Sequence, residues 1–164
     1  GNENVKTCNQ VGVCLFCIDA YVTGGVYLSN IGFIVISDQV YKHKEKDETV
    51  IVNPIAKISP ERIPSRHTFF LSFGLINLKK DCLYEVDIFA YNPHKEKLWG
   101  MGFSLQMKDE AKKENNYSII HTSIDDIALF EEGVFSIDII IKNTNEVKTL
   151  NFLVEEKGSD RSEK

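Results

Sequence analysis

Residues 83–107, LYEVDIFAYNPHKEKLWGMGFSLQM, decide the fold: two apolar runs stand either side of Asn92-Pro93 and read as one long β-hairpin. With Tyr91 facing Leu98 across the loop 92–97, Ala90 meets Trp99, Ile88 meets Met101, Val86 meets Phe103 and Tyr84 meets Leu105. These four pairs form one apolar face. The alternate positions pair Phe89 with Gly100, Asp87 with Gly102 and Glu85 with Ser104, a small or polar face. Side chains along a strand alternate with a period of two, so a slip of one residue would mix the two sets, and the register is strongly specified. Trp99, the only tryptophan, falls on the apolar face as a core anchor whose loss to alanine is expected to cost roughly 3 to 5 kcal/mol.

Two more hairpins flank this one. Residues 11–22 (VGVCLFCIDAYV) and 26–36 (VYLSNIGFIVI) surround Thr23-Gly24-Gly25. A Gly-Gly pair accepts the positive φ angles of a two-residue hairpin turn, which sets Phe16 opposite Phe33, Ile18 opposite Ile31 and Leu15 opposite Ile34. Near the other end, residues 134–143 and 146–154 surround Thr144-Asn145, a spacing that predicts Phe135 opposite Val154, Ile137 opposite Phe152 and Ile139 opposite Leu150. Between the hairpins, residues 67–76 (HTFFLSFGLI) place Phe69, Leu71, Phe73 and Leu75 on one side, as a core-facing strand does.

The remaining signals are weaker. Residues 42–48 (KHKEKDE) form a charged loop, 49–58 a strand, and 59–66 (SPERIPSR), with two prolines, a crossing loop. Residues 109–116 (DEAKKENN) are a solvated loop before a short strand at 117–123, and residues 124–130 have room for one short helical turn. Eight or nine strands at roughly ten-residue spacing, with no long amphipathic helix, predict an all-β, antiparallel immunoglobulin-like β-sandwich. The run 129–135 (LFEEGVF) looks like the turn entering a late strand of such sandwiches. Phe135 has no hydroxyl, so a tyrosine-corner hydrogen bond is not expected there.

Composition sets the outer bounds. A chain of 164 residues, 43% hydrophobic and 26% charged, suits one domain that buries about two-thirds of its unfolded surface. We divide it into a polar lead (1–10), a single β-sandwich domain (11–155) and a charged tail expected to fray (156–164). A net charge of -5 argues against nucleic acid as a partner, because no excess of cations is present to neutralise phosphates. Four cysteines without a dense framework read as reduced thiols and point to the cytoplasm. No apolar run is long enough to span a membrane. The sequence begins with glycine, which leaves a removed leader open.

The first and last hairpins together carry a resemblance. Cys17 and Asp19, the turn glycine Gly25, Gly32 within the second strand, and Gly133 before an aromatic strand stand in an order that resembles an uncharacterised group of small bacterial β-sandwich proteins. The resemblance implies a fold and transfers no catalytic residue.

No chemical constellation emerges. Cys14 and Cys17 have C-x-x-C spacing, but residues three apart on a strand point to opposite faces, and no second pair completes a zinc site. They read as buried structural thiols. His43, His67, His94 and His121 are scattered, with none at metal-ligand spacing. The neighbouring acids Asp125-Asp126 and Glu131-Glu132 match no calcium loop. We therefore expect no catalytic residue, no metal and no cofactor.

The exception is the second face of the hairpins, where Phe89, Tyr91 and Leu98 on the central one join Tyr21, Leu28 and Leu15 on the first, and Ile140 and Leu153 on the last. A lone sandwich normally makes such positions polar. The expectation is a non-enzymatic interaction or assembly module that binds a protein partner or a second copy of itself. The alternative is a carbohydrate-like ligand-binding module, with Tyr21, Tyr27, Tyr91 and aromatics of the Phe69-Phe70 strand as a platform of coplanar rings.

Overall fold

The computed structural model describes residues 29–158, which form nine strands and, among these residues, no helix. In chain order they are β1 (Ile31–Lys42), β2 (Thr49–Pro54), β3 (Lys57–Ile58), β4 (Ser65–Leu78), β5 (Leu83–Tyr91), β6 (Lys97–Gln106), β7 (Asn116–Leu129), β8 (Gly133–Ile141) and β9 (Glu146–Val154). One sheet has the order β2-β1-β4-β7 and the other β3-β9-β8-β5-β6. Every pairing is antiparallel except β3 with β9. The two sheets face each other as an immunoglobulin-like β-sandwich, the architecture the strand spacing predicts.

The core lies where period-two alternation puts it. Phe69, Leu71, Phe73 and Leu75 of β4 are fully buried against Val86, Ile88 and Ala90 of β5 and Phe135, Ile137 and Ile139 of β8. Phe152 of β9 joins the two sheets, its ring 5.5 Å from Phe69 and 5.7 Å from Phe135. Trp99 is only half-buried, because β6 is an edge strand and leaves one flank of the indole open. Its truncation should therefore cost less than that of an enclosed ring.

The central hairpin keeps the expected register from Tyr84–Leu105 to Ala90–Trp99, then shifts, so that Tyr91 pairs with Lys97. The cause is Asn92. Its side-chain oxygen accepts hydrogen bonds from the N–H groups of His94 and Glu96, both at 2.9 Å, and closes the loop one residue early. Leu98 becomes the extra residue of a bulge and packs against the core instead of joining Phe89 and Tyr91.

The last hairpin corrects the expected pairing by two residues: Phe135 meets Phe152, Ile137 meets Leu150 and Ile139 meets Lys148. Asn143 is again the reason. Its side chain accepts from Glu85 N–H at 2.8 Å and donates to the Leu83 carbonyl at 3.0 Å, which draws it out of the β8–β9 ladder toward β5. The turn opens to residues 142–145, with Asn145 at φ 54°. A slip of two leaves every side chain on its expected face.

Three boundaries also differ. β1 runs on from Ile36 to Lys42, because its polar second half pairs with β2. The strand expected at 49–58 breaks in two at the place where the chain changes sheets: Ile55 N–H still donates to Ile36 of β1, and Ala56 already accepts from Leu153 of β9. The helical turn expected at 124–130 is instead the end of β7. There Asp126 (φ 58°) lies in a bulge, and Asp126 N–H donates to Thr68 Oγ1 at 2.9 Å. Past β9, Glu156 accepts from Ile63 N–H at 2.7 Å and Lys157 N–H donates to Pro60 at 2.8 Å, so the first residues beyond the last strand are anchored.

Candidate functional site

The outer face of the β5 sheet holds two of the residues singled out from sequence. Phe89 is half-buried and lies over Gly100, where an added Cβ would come within 2.8 Å of Phe89 Cδ1. Lys97 sits above the ring with its Nζ 3.6 Å from the centroid, a cation–π contact. Tyr91 meets Phe89 edge-on, at 6.4 Å and 64°. Around them the face is polar: Lys142 pairs with Asp87 at 3.2 Å, and Thr149 donates to Asp138 at 2.6 Å. The rings are thus covered locally. Leu98 has gone to the core, and Tyr21 and Leu28, with Leu15 and Tyr27, lie outside the described residues. Phe69 is buried and Phe89 and Tyr91 are not coplanar, so the described rings do not form the flat platform a carbohydrate ligand needs.

The larger apolar surface is on the opposite sheet. On β4, with Phe69, Leu71, Phe73 and Leu75 turned inward, the alternate positions Ser72, Gly74 and Ile76 face out. Gly74 stands in register with Phe33 of β1 on one side and Ile119 of β7 on the other. Ile76 and Tyr117, each two residues along its strand, share this face. Their exposures are 42% for Phe33, 38% for Ile76, 52% for Ile119 and 73% for Tyr117, a cluster of large apolar side chains in water. The period-two rule applied to 70–76 and 117–121 could have found these positions. Their meeting depends on sheet order, which joins residues more than forty positions apart.

One polar pair interrupts the cluster. His121 Nδ1 and Ser72 Oγ are 2.7 Å apart, the distance of a nucleophile and its base. Ser72 is fully buried, however, and no substrate atom can reach its hydroxyl. The pair fixes the His121 ring and is structural. Elsewhere His94 bonds Glu131 at 2.7 Å on the surface, and His43 Nδ1 accepts from the backbone N–H of Glu45 at 3.2 Å and of Lys46 at 3.3 Å. Cys82 is buried. Among the described residues no three His, Cys, Asp or Glu side chains are grouped to hold a metal, and no helix is long and apolar enough to cross a membrane.

No protein-family profile matches the chain, and no curated protein does. Among solved structures it is similar to the β-glucosidase of Listeria innocua, with a TM-score of 0.40 and 8% identity over 61% of this chain and 14% of that one. A mutant of the same enzyme with laminaribiose aligns over 75% of this chain and 16% of that one, again at a TM-score of 0.40 and 8% identity. The chain spans less than a fifth of that enzyme's length, and a likeness this slight carries no argument about activity or ligand.

Proposed function

We propose that the protein is a non-enzymatic interaction or assembly module, and that its contact surface is the outer face of β1, β4 and β7. The supporting observation is the cluster of Phe33, Ile76, Ile119 and Tyr117, four large apolar side chains on one sheet face with 38% to 73% of their surface in water. Exposed apolar side chains gathered in one patch are characteristic of surfaces that bind other proteins. A flat sheet face can meet a second copy of itself across a two-fold axis, so the partner we assign is another copy of this chain.

Light scattering across a concentration series tests this. The mass should rise toward that of a dimer as concentration increases, and Ile119→Asp, which sets a charge in the middle of the patch, should hold the protein at monomer mass. A monomer mass at every concentration would overturn the reading, and so would a dimer that Ile119→Asp leaves intact.

A further inference from the structure

A titratable ring stands inside the contact surface. His121 lies two residues from Ile119 on the same face of β7, and its row across the sheet runs His121, Ser72, Val35, next to the row Ile119, Gly74, Phe33. The row on its other side is Ser123, Phe70, Ser37. Val35 and Phe70 are half-buried and Ser72 is fully buried, so the half-buried ring is bordered by apolar side chains and serine hydroxyls. Ser72 Oγ holds it there through Nδ1 at 2.7 Å.

Among the described residues, no charge on this face stands next to the ring. On β7 the charged residues are Asp125 and Asp126, at the end of the strand, where Asp125 accepts from the Ser123 hydroxyl at 3.1 Å. On β4 the charged residue is Arg66, six positions from Ser72, beside Asp126 at 3.9 Å and over the Phe130 ring. His67 is on the inner side of β4, with its ring 6.3 Å from that of the buried Phe69. β1 and β2 turn no charged side chain to this face, and β6, along the flank of β7, carries none from Leu98 to Gln106. Tyr41 and Tyr117 share the face, but phenols are neutral at physiological pH. At the centre of the face, His121 is thus the side chain whose type changes charge between pH 5 and 8.

We propose that His121 makes the self-association of this face depend on pH: two copies meet over the neutral ring and separate when it is protonated. The inference rests on the contact surface proposed above and adds its regulation. In the monomer an imidazolium keeps its water. Between two apolar faces it loses that water, and the Ser72 hydroxyl is then the partner for only one of its two N–H donors, with no anion to balance the charge. A two-fold dimer holds the ring twice, so association must release protons from both copies, and acid favours the monomer. The background trend has the opposite sign. The net charge of -5 moves toward zero as pH falls, which weakens repulsion between copies and by itself tightens a dimer.

Sedimentation of the full chain at pH 7.5 and 5.5, at one ionic strength, tests this. The dissociation constant of the dimer should be about tenfold higher or more at pH 5.5. His121→Gln can keep a hydrogen bond to Ser72 and does not titrate, so its dimer should be as tight at pH 5.5 as at pH 7.5, or tighter. In the unmodified protein, the midpoint of the His121 ring signal in NMR titrations should move to lower pH as concentration rises, because protonation and association oppose each other. A monomer at both pH values would overturn the contact surface and this inference with it. A dimer equally tight at both values, or tighter in acid, would overturn the pH dependence and leave the surface standing. So would a His121→Gln protein that still dissociates in acid, since another group would then be responsible.

Discussion

Phe33 lies across the backbone of Gly74, so that a Cβ on Gly74 would sit 2.5 Å from Phe33 Cε1. The glycine is a seat for the ring. Gly74→Ala should displace the ring and destabilise the protein by about 1 to 2 kcal/mol, read as a lower denaturant midpoint. Phe33→Ala made together with Gly74→Ala should recover part of that loss, and a double-mutant cycle measures the coupling. Additive costs would show that the ring does not depend on the seat.

Glu146 is 5% exposed and is the acceptor that satisfies Asn30 N–H. Glu146→Ala strands buried donors and should cost about 2 to 3 kcal/mol in chemical denaturation. Glu146→Gln keeps an acceptor oxygen and should cost clearly less.

Asn143, 6% exposed, ties the last hairpin to both the N–H of Glu85 and the carbonyl of Leu83. Asn143→Ala should cost about 2 kcal/mol. Freed of that tie, the β8–β9 turn can tighten to Thr144-Asn145, and cross-strand contacts in NMR spectra should then move toward the pairing of Phe135 with Val154.

Lys42 and Asp47 form an exposed ion pair at 2.7 Å. The hydrogen bond from Lys42, and next its charge, holds the Asp47 carboxyl below its ordinary range, while Asp47 raises the Lys42 ammonium. A lowered carboxyl adds stability that is present at neutral pH and fades as pH falls through the folded-state value. Both groups stand in water, where the pair is screened. Asp47→Asn should therefore leave the melting temperature unchanged at neutral pH and the acid limb of the stability profile unmoved.

Much of the sandwich was legible in the sequence, and the misreadings share a cause. Alternation alone located the core faces of β4, β5 and β8, because the residues between Phe69, Leu71, Phe73 and Leu75 and between Tyr84, Val86, Ile88 and Ala90 are small or polar apart from Phe70 and Phe89. Both hairpin errors occur at an asparagine whose side chain bonds backbone that the strand pattern does not register: Asn92 shortens one loop and Asn143 lengthens another. The spacing of Ile124 and Ile127, wrong for a strand, comes from a bulge at Asp126. The candidate surface was read less well. Phe89 and Tyr91 are where the alternation puts them, but cover from Lys97 and the seat on Gly100 are tertiary facts. The cluster around Gly74 joins residues 33, 74 and 119, which only the order of strands in a sheet brings together.

The bond from Glu146 to Asn30 also orders events in time. It spans 116 positions of sequence, so a ribosome that has already released β1, β4 and the central hairpin has yet to make the residue that holds the start of β1 in place. Contacts that distant form late, since loop closure must precede them. Until the last hairpin emerges, the nascent protein carries an unfinished flank with a bare strand edge, and that is the interval in which chaperone contact would matter most.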